Sequence, residues 1–217
     1  MTTSTETVSF TRMDEGTTAD YELLARKFEP YMAESPDRYI AALEAQRHER
    51  SSGYPIDRCE HALQSATRAR RDGADPDWIV AALLHDIGDA LAPMNHDRMA
   101  AEIIRPFVRE EVTWVVAHHG IFQQHHSGPM NGTDPDARER FRGHPYFESA
   151  AAFCARWDQI SFDPSFESDS MESFRPELTE VFARPAFDSR YVRPDEVLGL
   201  PSAIGRTLDD DARNGRC

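Results

Sequence analysis

The chain has 217 residues and carries 38 acidic against 24 basic side chains, a formal charge of −14. That length supports one sizeable core without a second domain, and the acidic balance excludes general affinity for nucleic-acid phosphates or anionic membranes. No apolar run approaches the roughly 20 residues that span a bilayer, and the start lacks a basic segment followed by an apolar one, so a soluble, cytoplasmic protein acting on small molecules is expected.

Residues 1–16 are rich in Thr, Ser and Glu and read as a flexible N-terminal arm. Apolar residues at spacings of three and four predict amphipathic helices over Ala19–Tyr31 and Pro36–Arg47. Ser51-Ser52-Gly53-Tyr54-Pro55 breaks the pattern, and Ile56–Asp72 resumes it, with Gly73 placed as a stop. Asp75-Pro76-Asp77 is a helix-start signature, and the nearly all-apolar run Trp78–His85 predicts a helix buried on every side. Gly88 supplies a positive φ or a close backbone approach where the chain then turns. Asn95 can cap a helix over His96–Val108, and Glu110–His119 forms the next, ending at its histidine pair. Residues 123–143 lack periodicity and hold several Gly and Pro, which reads as a long loop or lid. The sequon at Asn131-Gly132-Thr133 reads as a turn. Helix returns over His144–Gln159 and again over Glu177–Ala183. No strand pattern appears, so the fold class is all-α, with a helical body over 17–185 and a C-terminal extension over 186–217 expected to be partly disordered.

Cys59, Cys154 and Cys217 are odd in number, widely spaced and without CxxC, which supports neither a disulfide framework nor a thiolate zinc site. The chemistry lies in four histidine positions and two aspartates. His85 and Asp86 are adjacent at the end of the buried helix. His61 precedes them, while His96, the pair His118-His119 and Asp158 follow, all at or near predicted helix ends. Imidazole and carboxylate without thiolate suits iron, manganese or zinc, and a carboxylate can bridge two ions. Asp86 is the natural bridge. His61, His85 and Asp158 would complete one ion's protein ligands; His96 and one of His118 or His119 would hold the second, leaving positions open for catalysis.

This ordered set resembles the HD-domain superfamily, whose pattern is a His, a His-Asp pair and a distant Asp on a helical bundle; the likeness runs from His61 to Asp158. The extra His96 and the segment Ala117-His118-His119-Gly120 look like the two-metal branch, the myo-inositol oxygenases and the HD-domain oxygenases that cleave organophosphonates. Glu60-His61-Ala62-Leu63-Gln64 and Arg156-Trp157-Asp158 resemble the latter. The resemblance implies a mixed-valent di-iron centre that binds a hydroxylated substrate, activates dioxygen and removes a substrate C–H hydrogen, with C–C or C–P scission following. It prefers His119 over His118 as ligand, because Gly-Ile-Phe follows, and it makes Tyr54 a gate over the open iron position. Two lysines of the inositol enzyme are replaced here by Asp89 and Phe162. An acid in place of a base favours a substrate bearing an amine or quaternary ammonium. Asp89, Tyr54, Arg156 and Gln159 are therefore the candidate substrate contacts, with Arg156 and Gln159 also placed to orient Asp158. The alternative function is an HD-type phosphohydrolase acting on a nucleotide or phosphoester, disfavoured because no Lys or Arg follows the His-Asp pair before Arg98.

Overall fold

A computed structural model describes residues 6–48 and 53–202. Residues 1–5 of the arm, Ser51 and Ser52 of the predicted break, and the extension beyond 202 with Cys217 lie outside the described residues. The regular structure is helical, with no strand among the described residues. The helices are α1 (Thr18–Ala33), α2 (Ser35–Glu44), α3 (Arg58–Arg71), α4 (Pro76–Leu84), α5 (His96–Ile104), α6 (Glu110–Asn131), α7 (Phe147–Phe153) and α8 (Arg175–Phe182). No helix among the described residues is long and apolar enough to cross a membrane.

Local chemistry sets the helix starts. Asp57 accepts the Glu60 amide at 2.8 Å and Asp75 the Trp78 amide at 3.1 Å, each satisfying a free amide of a first turn. Asn95 occupies the position before α5, but its side chain makes no capping bond. Gly73 takes φ +79 just past α3, as its position predicts.

The centre of the bundle is α4, where Trp78 through Leu84 are all buried. Its start is held by charge: Asp77, itself buried, accepts from Arg109 Nη1 at 3.0 Å, the Arg109 amide at 3.1 Å and Arg184 Nη1 at 2.6 Å. Its other end delivers His85 and Asp86 to the interior. Helices α3, α6 and α8 pack around α4, and α5 and α7 pack on α6. The segment up to residue 202 lies against this body. Trp78 Nε1 donates to the Gly199 carbonyl at 3.0 Å, and the buried Glu111 carboxylate accepts the Leu198 and Gly199 amides at 3.0 and 2.9 Å.

Two elements differ from the sequence expectation. Helix α6 does not stop at the histidine pair but runs three further turns to Asn131, so much of the predicted 123–143 loop is helix. Beyond Phe122 that helix lies on the surface and buries only Gly128, which erases the apolar periodicity that would have revealed it. It ends where Gly132 adopts φ +77, and Thr133 donates back to the Asn131 side chain, so the sequon is a turn. The second difference is at α7, which is followed by a single π turn over Cys154–Asp158, closed by the Gln159 amide donating to the Cys154 carbonyl at 3.0 Å. Such widened turns recur at functional sites.

Candidate metal centre

Five elements converge on one point in the bundle. His61 comes from the first turn of α3, His85 and Asp86 from the end of α4, His96 from the first residue of α5, His119 from the middle of α6, and Asp158 from the π turn. The Asp86 carboxylate stands between two groups. Its Oδ2 lies 3.6 Å from His61 Nε2 and 3.7 Å from His85 Nε2, while its Oδ1 lies 3.3 Å from His96 Nε2 and 3.2 Å from His119 Nε2. Asp158 Oδ1 closes the first group at 3.4 Å from His61 and 3.7 Å from His85. His61-His85-Asp86, His85-His119-Asp158 and Asp86-His96-His119 could each hold a metal ion.

Whether these side chains fit a cation is decided by their protons. Each of the four imidazoles points Nδ1 at a backbone carbonyl: His61 at Ser161 (2.8 Å), His85 at Ala82 (2.8 Å), His96 at Pro93 (3.1 Å) and His119 at Val116 (2.7 Å). A carbonyl only accepts, so the Nδ1 atoms carry the hydrogens and the Nε2 lone pairs face inward. His61 Nε2 and His85 Nε2 then confront each other at 3.1 Å with no hydrogen to share unless one ring is charged. A metal ion satisfies both, and it would also satisfy the buried Asp158 Oδ2, which has no hydrogen-bond partner. Without an ion, the cluster compensates by attracting protons. Burial pushes His61, His85 and His119 down, but the facing carboxylates of Asp86 and Asp158 overcome it and hold all three above the usual histidine range. Burial likewise raises Asp86 and Asp158, and the surrounding imidazoles pull both well below the usual carboxylate range.

Residues 58–146, which contain five of these six ligand-type side chains, match the HD domain family. This segment is similar to an HD domain. A curated protein of Leisingera caerulea, [1-hydroxy-2-(trimethylamino)ethyl]phosphonate dioxygenase (glycine-betaine-forming), is 35% identical over 78 residues, which covers 31% of this chain. The chain matches only 40% of that relative's length.

The geometry separates the predicted residues into two sets. His118 is not brought to the centre. It is mid-helix, about 100° around α6 from His119, and its ring stacks on Trp114 with centroids 4.1 Å apart while Nδ1 donates to the Trp114 carbonyl. Arg156 is also turned away, donating to Asp72 at 2.7 Å and to the Pro201 carbonyl at 2.8 Å, so it neither orients Asp158 nor faces the centre. The Gln159 side chain donates to the Ala155 carbonyl of its own turn, at 3.4 Å. Tyr54 lies at the rim, 46% exposed, and is one ring removed from the ligands: it stacks on Phe162, which stacks on His61 with centroids 4.3 Å apart. Asp89 does stand beside the centre, with Oδ1 3.9 Å from His96 Nδ1.

Arg58 is the residue the sequence reading missed. Its Nε lies 2.8 Å from Asp89 Oδ2 and its Nη1 donates to Asp86 Oδ2 at 3.3 Å. The absence of a basic residue after the His-Asp pair therefore does not leave the centre without one. The signal was present, because Arg58 and His61 are three apart on α3 and share a face.

Gly88 provides a test of the second ligand group. A Cβ there would lie 3.0 Å from the His96 carbonyl oxygen and 3.1 Å from His96 Cα, so the close approach, rather than a positive φ, is what requires glycine. Gly88→Ala should displace the start of α5 by a few tenths of an ångström. The affinity of the His96-His119 position should fall about tenfold, with the His61-His85 position nearly unchanged. Metal titration followed by calorimetry would show this, and equal losses at both positions would refute it.

Proposed function

We propose that this chain is a di-iron oxygenase that uses dioxygen for oxidative C–C or C–P cleavage of a small hydroxylated substrate, with iron in the Fe(II)/Fe(III) state. The observation that carries the proposal is the division of the two Asp86 oxygens between a pair of histidines on each side, a geometry suited to bridging two ions. His61, His85 and Asp158 would hold the first ion with Asp86, and His96 and His119 the second. The second group offers only three protein ligands, which leaves room for substrate or dioxygen. When bound, the iron pair would supply dioxygen activation and the oxidising power for C–H removal.

The chain's own residues shape what enters. Phe162 and Tyr54 stack in sequence over His61 and form an aromatic wall at the rim, which excludes water from that side of the ligands. Asp89 gives Oδ2 to Arg58 and keeps Oδ1 outside that ion pair, so an amine or quaternary ammonium of the substrate can be received there. The relative of Leisingera caerulea acts, by its name, on a compound with a hydroxyl, a phosphonate and a trimethylamino group, which supports a hydroxylated substrate of this kind. Arg58 also gives the phosphohydrolase reading a specific basis, since a guanidinium beside the bridging carboxylate suits a phosphoester as well.

Dioxygen uptake by the iron-loaded protein separates the two. A panel of small hydroxylated amines, acids and phosphonates should contain compounds that drive uptake in step with a cleaved product, and Asp86→Ala should abolish it. Phosphate release from phosphoesters without dioxygen uptake would replace the oxygenase reading with the hydrolase.

A further inference from the structure

Helix α1 has the ends of a stable helix without the packing of one. Of its 16 residues only Asp20 and Leu23 are buried. Among its large apolar side chains Met32 packs against the core, whereas Tyr21, Leu24, Phe28 and Tyr31 are 42%, 39%, 61% and 55% exposed. Its start is capped on both sides: the Thr17 hydroxyl accepts the Asp20 amide at 3.3 Å, and the Asp20 carboxylate accepts the Thr17 amide at 2.9 Å. Such a cap contributes on the order of 1 kcal/mol, but a helix of this length with so little burial is marginal in water.

The four exposed residues form one line. Their spacing of three, four and three is that of a coiled-coil seam and confines them to about 80° of arc. Leu23 lies about 120° around the helix from the middle of that arc, so attachment to the body leaves the seam clear. Phe10 stacks on Tyr21 with centroids 5.8 Å apart, and the Arg38 guanidinium lies 4.0 Å from the centre of the Tyr31 ring. These contacts hold the two end rings in place, and both stay exposed.

We propose that α1 pairs with α1 of a second copy of this chain, antiparallel about a two-fold axis near Arg26. Two observations single out a copy as the occupant. A two-fold interface requires a surface complementary to itself, and this line reads the same from either end. Antiparallel packing sets Tyr21 against the partner subunit's Tyr31, and Leu24 against the partner subunit's Phe28. The second observation is charge. Copies of a chain with formal charge −14 repel one another, but on α1 the exposed Glu22 and Glu29 are balanced by the exposed Arg26 and Lys27. The seam is thus a surface on which two copies meet with little repulsion. A 16-residue helix is about 24 Å long, and two laid side by side cover on the order of 1,000 Å² in total, the lower end for specific association. The dimer is therefore weak, with a dissociation constant in the micromolar range.

Sedimentation equilibrium of the full chain from about 1 to 100 μM, which brackets such a constant, tests this. The mass should rise from 24.6 kDa towards twice that value. Phe28→Glu places a carboxylate from each copy in the seam and should weaken association at least about 100-fold, with metal content and melting temperature like the parent's because the site is exposed. Met130→Glu, which adds the same charge at an 85% exposed methionine of α6, should associate like the parent. A parent that stays monomeric at the top of the range overturns the proposal, as does a Phe28→Glu variant that associates like the parent or a Met130→Glu variant that dissociates equally. If removing residues 203–217 turned a monomeric parent into a dimer, the chain's own end would be the occupant of the seam and the second copy would be ruled out.

Discussion

Asp86→Ala should lose metal from both positions at once, with apparent affinity falling at least about 100-fold at each, while the helical content stays that of the parent. The reasoning is geometric. Each oxygen of Asp86 serves a different histidine pair, at 3.6 and 3.7 Å on one side and 3.3 and 3.2 Å on the other. Changes to groups that merely support a ligand already cost about 10–100-fold in metal affinity, and loss of a shared ligand should exceed that. Asp158→Ala and His96→Ala provide the contrast, because each belongs to one group: the first should empty the His61-His85 position and the second the His96-His119 position. Atomic absorption on the three purified variants would check the pattern. If Asp86→Ala emptied a single position, the bridge would be wrong even if a metal site remained.

The largest expected loss of stability is at the opposite end of α4. Asp77→Ala should destabilise the fold by about 3–5 kcal/mol, because it leaves the Arg109 and Arg184 guanidiniums, 4% and 8% exposed, without their shared carboxylate. In a chain of this size that corresponds to a fall in Tm of roughly 10 °C. Arg109 keeps Asp75 at 2.9 Å and Arg184 keeps Glu180 at 3.5 Å, so the chain should still fold. Metal stoichiometry of the folded protein should be unaffected, since the ligands lie at the far end of the helix. A melting temperature within a few degrees of the parent's would show that the network is not carrying the start of α4. Calorimetric or dichroic melting decides it.

Much of the centre was legible because its chemistry is tied to residue type. His61, His85, His96, His119, Asp86 and Asp158 stand out as imidazoles and carboxylates in helical context, and the apolar run ahead of His85 announces a buried helix end. What remained hidden depended on direction rather than identity. His118 and His119 differ only by a rotation about α6, and with a helix end expected at that pair only the resemblance, not the helix geometry, favoured His119. Arg156 and Gln159 flank Asp158 in sequence, but the π turn sends Arg156 to Asp72 instead. The outer half of α6 buries so little that its polar, Gly- and Pro-containing sequence resembles a loop. Arg58 required distances: it lies 28 residues before Asp86 and 31 before Asp89.

The central claim is a two-ion centre bridged by Asp86 and matched to iron. Metal content of protein expressed in iron-replete medium, combined with Mössbauer and EPR spectra before and after mild reduction, tests it most directly. The account predicts two irons per chain and, at one stage of reduction, a half-integer-spin signal from a coupled Fe(II)/Fe(III) pair that Asp86→Ala abolishes. A single redox-inert ion per chain, or two irons with no magnetic coupling, would contradict it.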